Sequence, residues 1–294
     1  MFADKVPCPL THVFHFILWN LRLDSDIQSK ILYLFIFIYM AKNIGEYDEM
    51  RAKLRLIELR DAGKSIIIGG SEVVVQTVKN NGVECSSLPT GTILSTMSDS
   101  QIESMAKLVG AFKSPAGSKA DVYVNGLGIS VKSHRGANPA FLNHTHRAGF
   151  LKVCERVGVR INKLDEIIRD YWVKRKAGII GEDIKNSDPN SPFKNHLAYL
   201  KPIMNYFLFK GTAQKDSPHP ADYILDFINP LQESSWKFSR DEYLDDNWDH
   251  IIFSVRSKGI PDSYPDGKNA IDIQPWVQVA EDKYKGSLHG RVQF

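Results

Sequence analysis

Asp121, Ser130 and Lys132 have the residue types and the spacing best suited to chemistry at phosphorus. They lie in residues 117–135, GSKADVYVNGLGISVKSHR. A carboxylate at Asp121 can hold Mg²⁺, which takes hard oxygen ligands. The cation polarises a phosphate and acidifies a bound water. A lysine beside it orients that water or offsets the negative charge that develops during attack. The chemistry expected of such a group is metal-assisted cleavage of a phosphodiester.

A β-hairpin is the element that must bring these residues together. Asn125-Gly126 is a strong turn signal, because both residues accept positive φ at little cost. Strict alternation flanks it. Val122 and Val124 point one way, Asp121 and Tyr123 the other; Ile129 and Val131 oppose Ser130 and Lys132 in the same manner. A turn made of Asn125-Gly126 pairs Asp121 with Ser130, whereas one made of Gly126-Leu127 pairs Asp121 with Lys132. Either register gathers the three polar groups on one face, and a one-residue slip separates them.

Asp121, ten intervening residues and Lys132, with Ser130-Val131-Lys132 as the second half, resemble the PD-(D/E)xK nuclease superfamily, most closely its type II restriction endonucleases. There are two departures: Ala120 precedes the aspartate in place of Pro, and Ser130 stands where a second carboxylate is usual. In Ser-x-Lys variants the resemblance implies a Glu from a neighbouring helix. Glu103 is the first candidate, with Glu72 and Glu155 behind it. The resemblance further implies Mg²⁺ held by Asp121, Glu103 and the carbonyl of Val131, a water positioned by Lys132, and Ser130 as a weak ligand or hydrogen-bond donor. It implies a sequence-specific endonuclease acting on double-stranded DNA, a homodimer matched to a two-fold site, and a partner methyltransferase. The alternatives are a DNA-repair or mobile-element nuclease of the same superfamily, and a DNA-binding module that has lost catalysis.

The segment after the hairpin is polar and basic. His134, Arg135, Asn143, His144, His146 and Arg147 are the candidate DNA contacts, with arginines suited to phosphates or guanine edges and Asn138 and Asn143 to adenine. Zinc held by His134, His144 and His146 is a weaker reading, since no cysteine lies nearby. A second stretch, Asp272 with Glu281-Asp282-Lys283 and Pro261-Asp262 upstream, matches the nuclease pattern more literally. It ranks below the hairpin because a catalytic pair belongs in a supported core strand, and Tyr284–Ser287 reads as a turn.

Length and composition set the frame. The 294 residues, 43% hydrophobic and 24% charged, are ordinary globular material with a net charge of +3. DNA contact therefore requires clustered rather than bulk charge. The three cysteines, Cys8, Cys85 and Cys154, form neither a disulfide framework nor a zinc knuckle, and a cytoplasmic setting is expected. Residues 1–40 form a hydrophobic extension whose two apolar bursts, 13–21 and 31–40, are too short to span a bilayer. Two readings stand for it: translation that begins at Met40, and a hydrophobic arm for packing or dimerisation. Residues 41–294 read as the nuclease domain, with the catalytic hairpin at 119–133 and recognition elements after 134.

The remaining pattern predicts helices over 46–62, 99–112 and 162–176, and one capped by Asn143 or Thr145 that carries Phe150, Leu151, Val153 and Cys154. Strands are expected at 223–228, 248–255 and 276–280, and at 288–294. The fold class is α/β (α+β): a mixed central sheet flanked by helices, with a restriction-endonuclease-like core.

Overall fold

The computed structural model describes residues 44–260 and 275–293. The chain divides into two compact units, 1–43 and 44–294, and every described residue belongs to the second. The expected N-terminal extension, together with Pro261-Asp262 and Asp272, lies outside the described residues.

The chain enters through helix α1 (Ile44–Asp61). Its expected stripe of Met50, Leu54, Ile57 and Leu59 is buried, but so are Ala52, Leu56, Asp48 and Lys53. The helix is therefore covered over most of its circumference, and two of the charged groups it buries need internal partners. Next come strands β1 (Ser65–Ile68) and β2 (Ser71–Val74), which form a two-stranded hairpin, then β3 (Val78–Asn80) and β4 (Val83–Glu84). The β-branched run at 73–75 thus belongs to extended chain, as its stiff χ1 favours. Helix α2 (Asp99–Val109) starts on a reciprocal capping box between Ser98 and Gln101 and ends at Gly110 in the left-handed conformation.

The central hairpin follows as β5 (Val122–Val124) and β6 (Leu127–Ser133). Beyond it lie β7 (Ala140–Thr145), α3 (Arg147–Arg156), α4 (Asn162–Lys176), β8 (Asp183–Lys185) and α5 (Leu197–Asn205). The chain continues through β9 (Tyr223–Phe227), β10 (Lys237–Ser239), α6 (Tyr243–Asn247), β11 (Ile251–Arg256), β12 (Gln278–Ala280), β13 (Lys283–Lys285) and β14 (Ser287–Val292). Asn143 and Thr145 do not cap α3; they lie in β7, and His146 precedes the helix without a side-chain cap bond. Phe141 and Leu142 are buried, so the strand is set by tertiary packing that a polar-looking local sequence conceals.

Two sheets organise these elements. The first is mixed, in the order β10-β9-β6-β5-β3-β4, with β6 and β9 parallel and every other pair antiparallel. The second is antiparallel, in the order β7-β14-β11-β8. A parallel pair requires a crossover, and the one joining β6 to β9 carries β7, α3, α4, β8 and α5.

Two hydrophobic cores result. One packs α1, α2, β1 and one face of the first sheet, through residues such as Leu54, Ile57, Ile102, Val122, Ile129 and Leu225. The other packs α3 to α6 with the second sheet and takes Ile224 and Tyr123 from the opposite face of the first. The alternation expected of the hairpin is therefore real: Val122, Val124, Ile129 and Val131 all enter the first core. Among the described residues no helix is long and apolar enough to cross a membrane.

Candidate functional site

The hairpin register decides between the two turns that the sequence allowed. Val122 pairs with Ile129, Tyr123 with Gly128 and Val124 with Leu127, so Asn125-Gly126 is the turn, with φ of +51° and +86°. The turn is tied down from outside. Asn125 Oδ1 accepts the N–H groups of Gln76 (2.9 Å) and Thr77 (3.0 Å), and its Nδ2 donates to the Val74 carbonyl (2.8 Å). At Gly128 a Cβ would lie 2.5 Å from the Pro220 carbonyl oxygen, so only glycine lets that chain approach.

This register sets Asp121 opposite Ser130. The Asp121 N–H donates to the Ile129 carbonyl (2.8 Å), although Ile129 is already the partner of Val122, and the ladder is irregular at that point. The Val131 N–H donates to Asp121 Oδ2 (2.7 Å) and the Ser130 hydroxyl lies 3.4 Å from the same oxygen. Val131, expected to lend its carbonyl to a metal, here orients the Asp121 carboxylate through its N–H. Ser114 Oγ donates to the Asp121 carbonyl (2.9 Å). The half-buried Asp121 carboxyl is pushed up to about 6, first by burial and then by the charge of Glu49, against the opposing pull of Lys132, Lys53 and the Val131 N–H.

Glu49 is the acidic neighbour that the sequence did not single out. It lies on α1, where its carboxylate pairs with Lys53 Nζ (2.7 Å) and accepts the Ser114 N–H (3.0 Å). The signal was present: Lys53 interrupts the apolar stripe of α1 and stands one turn after a glutamate, a spacing that places both on one face. Glu103, the first candidate, instead pairs with Lys107 on its own helix (2.8 Å). Glu72 and Glu155 are exposed residues of β2 and α3. The carboxylate whose charge reaches Asp121 is therefore a residue of α1, brought in by packing of that helix on β3 and β6.

Lysines gather around the pair. Lys132 shares the Ser130 face of β6, and among the described residues its ammonium has no hydrogen-bond or ion-pair partner. Lys119, two residues before Asp121, is anchored by its N–H to the His219 carbonyl (2.9 Å). Burial, reinforced by the charge of Lys132 and opposed by Asp121, pushes its ammonium down to about 8.

The candidate DNA contacts do not form one surface. His134 follows Lys132 on the same face and its Nε2 lies 2.9 Å from the buried Asp226 on β9. Arg135 is held by the buried Asp48 through two hydrogen bonds, and Ser133 Oγ adds a third to that carboxylate (2.5 Å). Arg147 forms a bidentate pair with Asp165 (2.8 and 2.7 Å), which also accepts the Trp276 indole N–H (2.7 Å). Both arginines thus have fold-holding partners. His144 has φ +41° and stacks on His289 with ring centroids 4.7 Å apart. His146 neighbours Gly259, and Asn143 is exposed.

The zinc reading fails on this arrangement, because His134 pairs with Asp226 in the first sheet while His144 and His146 flank the second. Among the described residues no group of three or more His, Cys, Asp or Glu is placed to hold a metal. Two carboxylates do suit Mg²⁺, which retains several waters and is bound through one or two acidic side chains. Glu49 and Asp121, linked through Ser114, supply the hard oxygen donors that suit a cation here.

The rival C-terminal motif is built differently. Glu281-Asp282 forms the turn between β12 and β13, with φ of +51° and +56°. Glu281 is exposed and bonded to Arg175 (2.6 Å) and Lys285. The turn thus comes three residues earlier than expected, and Lys283 opens a two-stranded ribbon rather than a core strand.

Fold and site together define a class: a mixed-sheet α+β protein with two carboxylates and several lysines converging on an irregular hairpin strand. Comparison of the chain with protein-family models, with curated proteins and with solved structures finds no match.

Proposed function

We propose that the chain is a Mg²⁺-dependent endonuclease that cleaves double-stranded DNA at specific sites, in the manner of the Ser-x-Lys type II restriction enzymes it resembles. The observation that supports this reading is the link of Glu49 on α1 to Asp121 through Ser114, beside Lys132 on the second hairpin strand, whose ammonium has no hydrogen-bond or ion-pair partner among the described residues. Asp121 and Glu49 hold the cation, with Glu49 taking the place that Ser130 leaves without a carboxylate. When bound, Mg²⁺ supplies polarisation of the phosphate and an acidified water.

The protein's own groups do the rest. Ser130 and the Val131 N–H fix the Asp121 carboxylate. Lys132 orients the attacking water and offsets the charge that develops at phosphorus. Lys119 adds a second ammonium for the non-bridging oxygens. His134, held against Asp226, is placed for contact with the flanking backbone. A homodimer is part of the proposal, because cutting both strands of a two-fold site asks for two-fold protein symmetry.

The test is incubation of the purified chain with unmethylated phage DNA, with and without Mg²⁺, alongside Lys132→Ala, Glu49→Gln and Lys283→Ala. Discrete fragments that need Mg²⁺, and that are lost in Lys132→Ala and Glu49→Gln but not in Lys283→Ala, are expected. DNA that is retained at low salt but never cut by folded wild-type protein would replace this reading with that of a binding module.

A further inference from the structure

Lys53 is a fully buried lysine in the middle of α1. Its ammonium is surrounded by oxygen: Glu49 Oε1 at 2.7 Å, the Phe112 carbonyl and Ser114 Oγ each at 2.9 Å, and Asn80 Oδ1 at 3.2 Å. An ammonium has three protons to give, so these acceptors saturate it. Two of the four lead directly to the candidate site. Glu49 is the second carboxylate, and Ser114 donates in turn to the Asp121 carbonyl and gives its N–H to Glu49.

This placement is costly. Removing an ammonium from water is repaid only by close, well-aligned partners, and an apolar residue of the same size would usually serve packing as well or better. The particular partner is informative. Lys53 pairs with Glu49, the same carboxylate whose charge opposes ionisation of Asp121, while its own charge pulls Asp121 the other way. Without Lys53, the charges of Glu49 and Asp121 would be offset, among the described residues, by Lys132 and Lys119.

We propose that Lys53 is a positioning residue that acts as a built-in counter-cation. It holds Glu49 and Asp121 together while no metal is bound, and it competes with the divalent cation for Glu49 when one arrives. The inference rests on the metal reading given above and adds to it a determinant of metal affinity. Lys53 keeps the site assembled in the absence of metal at the expense of weaker metal binding. A neutral residue of similar shape reverses both effects: the metal-free protein loses stability, and the cation binds more tightly because it becomes the only positive charge on Glu49.

The experiment compares thermal unfolding of the full chain and of Lys53→Met in EDTA and across a Mn²⁺ titration, with no DNA present. Lys53→Met should unfold at lower temperature in EDTA, show a larger Mn²⁺-induced rise than wild type, and bind Mn²⁺ roughly tenfold more tightly or better, as expected when the unit charge paired with Glu49 is removed. The double variant Lys53→Met/Glu49→Gln should lose that extra rise. A lysine that served only packing would lower the unfolding temperature equally with and without Mn²⁺, and that result overturns the inference. Folding of Lys53→Met only in the presence of Mn²⁺ would support it in extreme form. If Lys53→Met folds under neither condition, Lys53→Gln is read in the same way, and a Mn²⁺ rise no larger than wild type overturns the proposal. No Mn²⁺ response in wild type or in any variant would instead remove the metal reading on which the inference stands.

Discussion

Glu49 on the first helix and Asp121 on the central hairpin are joined through Ser114, which gives its N–H to Glu49 and its hydroxyl to the Asp121 carbonyl, and the charge of Glu49 adds to burial in raising Asp121. One acid thus makes another acid harder to ionise.

That relationship has a pH signature. The Asp121 carboxyl is shifted from an ordinary value of 3.8 to about 6, so folding favours its protonated form. Its contribution is fully present below pH 3.8 and is lost as pH rises through about 6. In EDTA, Asp121→Asn should therefore be more stable than wild type at pH 7–8, by on the order of 1–2 kcal/mol, with the gap closing toward pH 4. Denaturant melts at three pH values give the measurement. A gap that does not change with pH would mean that neither burial nor the charge of Glu49 holds Asp121 in its protonated form. Mg²⁺ should narrow the gap by favouring the ionised form.

A second pH effect comes from the other sheet. Burial, with the charges of His144, Arg256 and Arg291 around it, pushes His289 down to about 4. Burial also lowers His144, assisted by Lys258, Arg256 and His146, and lowers His146. These groups bind protons more readily when unfolded. Their contribution is full above pH 6.5 and falls as pH drops from there toward 4, with each group adding to the slope. His289→Phe keeps the stack on His144 and should flatten this limb of the stability curve. A curve as steep as that of wild type between pH 6.5 and 4.5 would rule out His289 as a contributor.

Arg135 divides two roles. Asp48 is fully buried and depends on Arg135, Ser133 and, at 3.8 Å, Arg51 for compensation. Arg135→Met should cost about 2–3 kcal/mol, because it leaves a buried carboxylate short of charge. Cleavage or DNA retention by the folded fraction should change little. If stability is unaffected while DNA retention drops severalfold at moderate salt, Arg135 is a phosphate contact after all.

The Asn125-Gly126 turn offers a test of the hairpin itself. Asn125→Ala removes three hydrogen bonds to residues 74–77 and forces alanine to φ near +51°. A loss of about 2 kcal/mol is expected. Lys119→Met, outside the turn, should leave stability close to wild type or better, since it removes a partly buried cation beside Lys132.

Local pattern determined much of this protein. The hairpin and its two-residue turn, α4 over 162–176 and the Ser98 start of α2 all follow from positive-φ preferences, side-chain alternation and capping, which act over a few residues. The pairing of Asp121 with Ser130 was legible as one of two registers. Tertiary structure decided the rest. It chose the register, because Asn125 is gripped by residues 74–77 and Gly128 by Pro220. It turned Asn143–Thr145 into a strand by burying Phe141 and Leu142. It drew Arg135 and Arg147 to internal carboxylates. And it brought Glu49 to Asp121 across 71 intervening residues, which no local rule specifies, because only the packing of α1 on the sheet determines which face of that helix meets the hairpin.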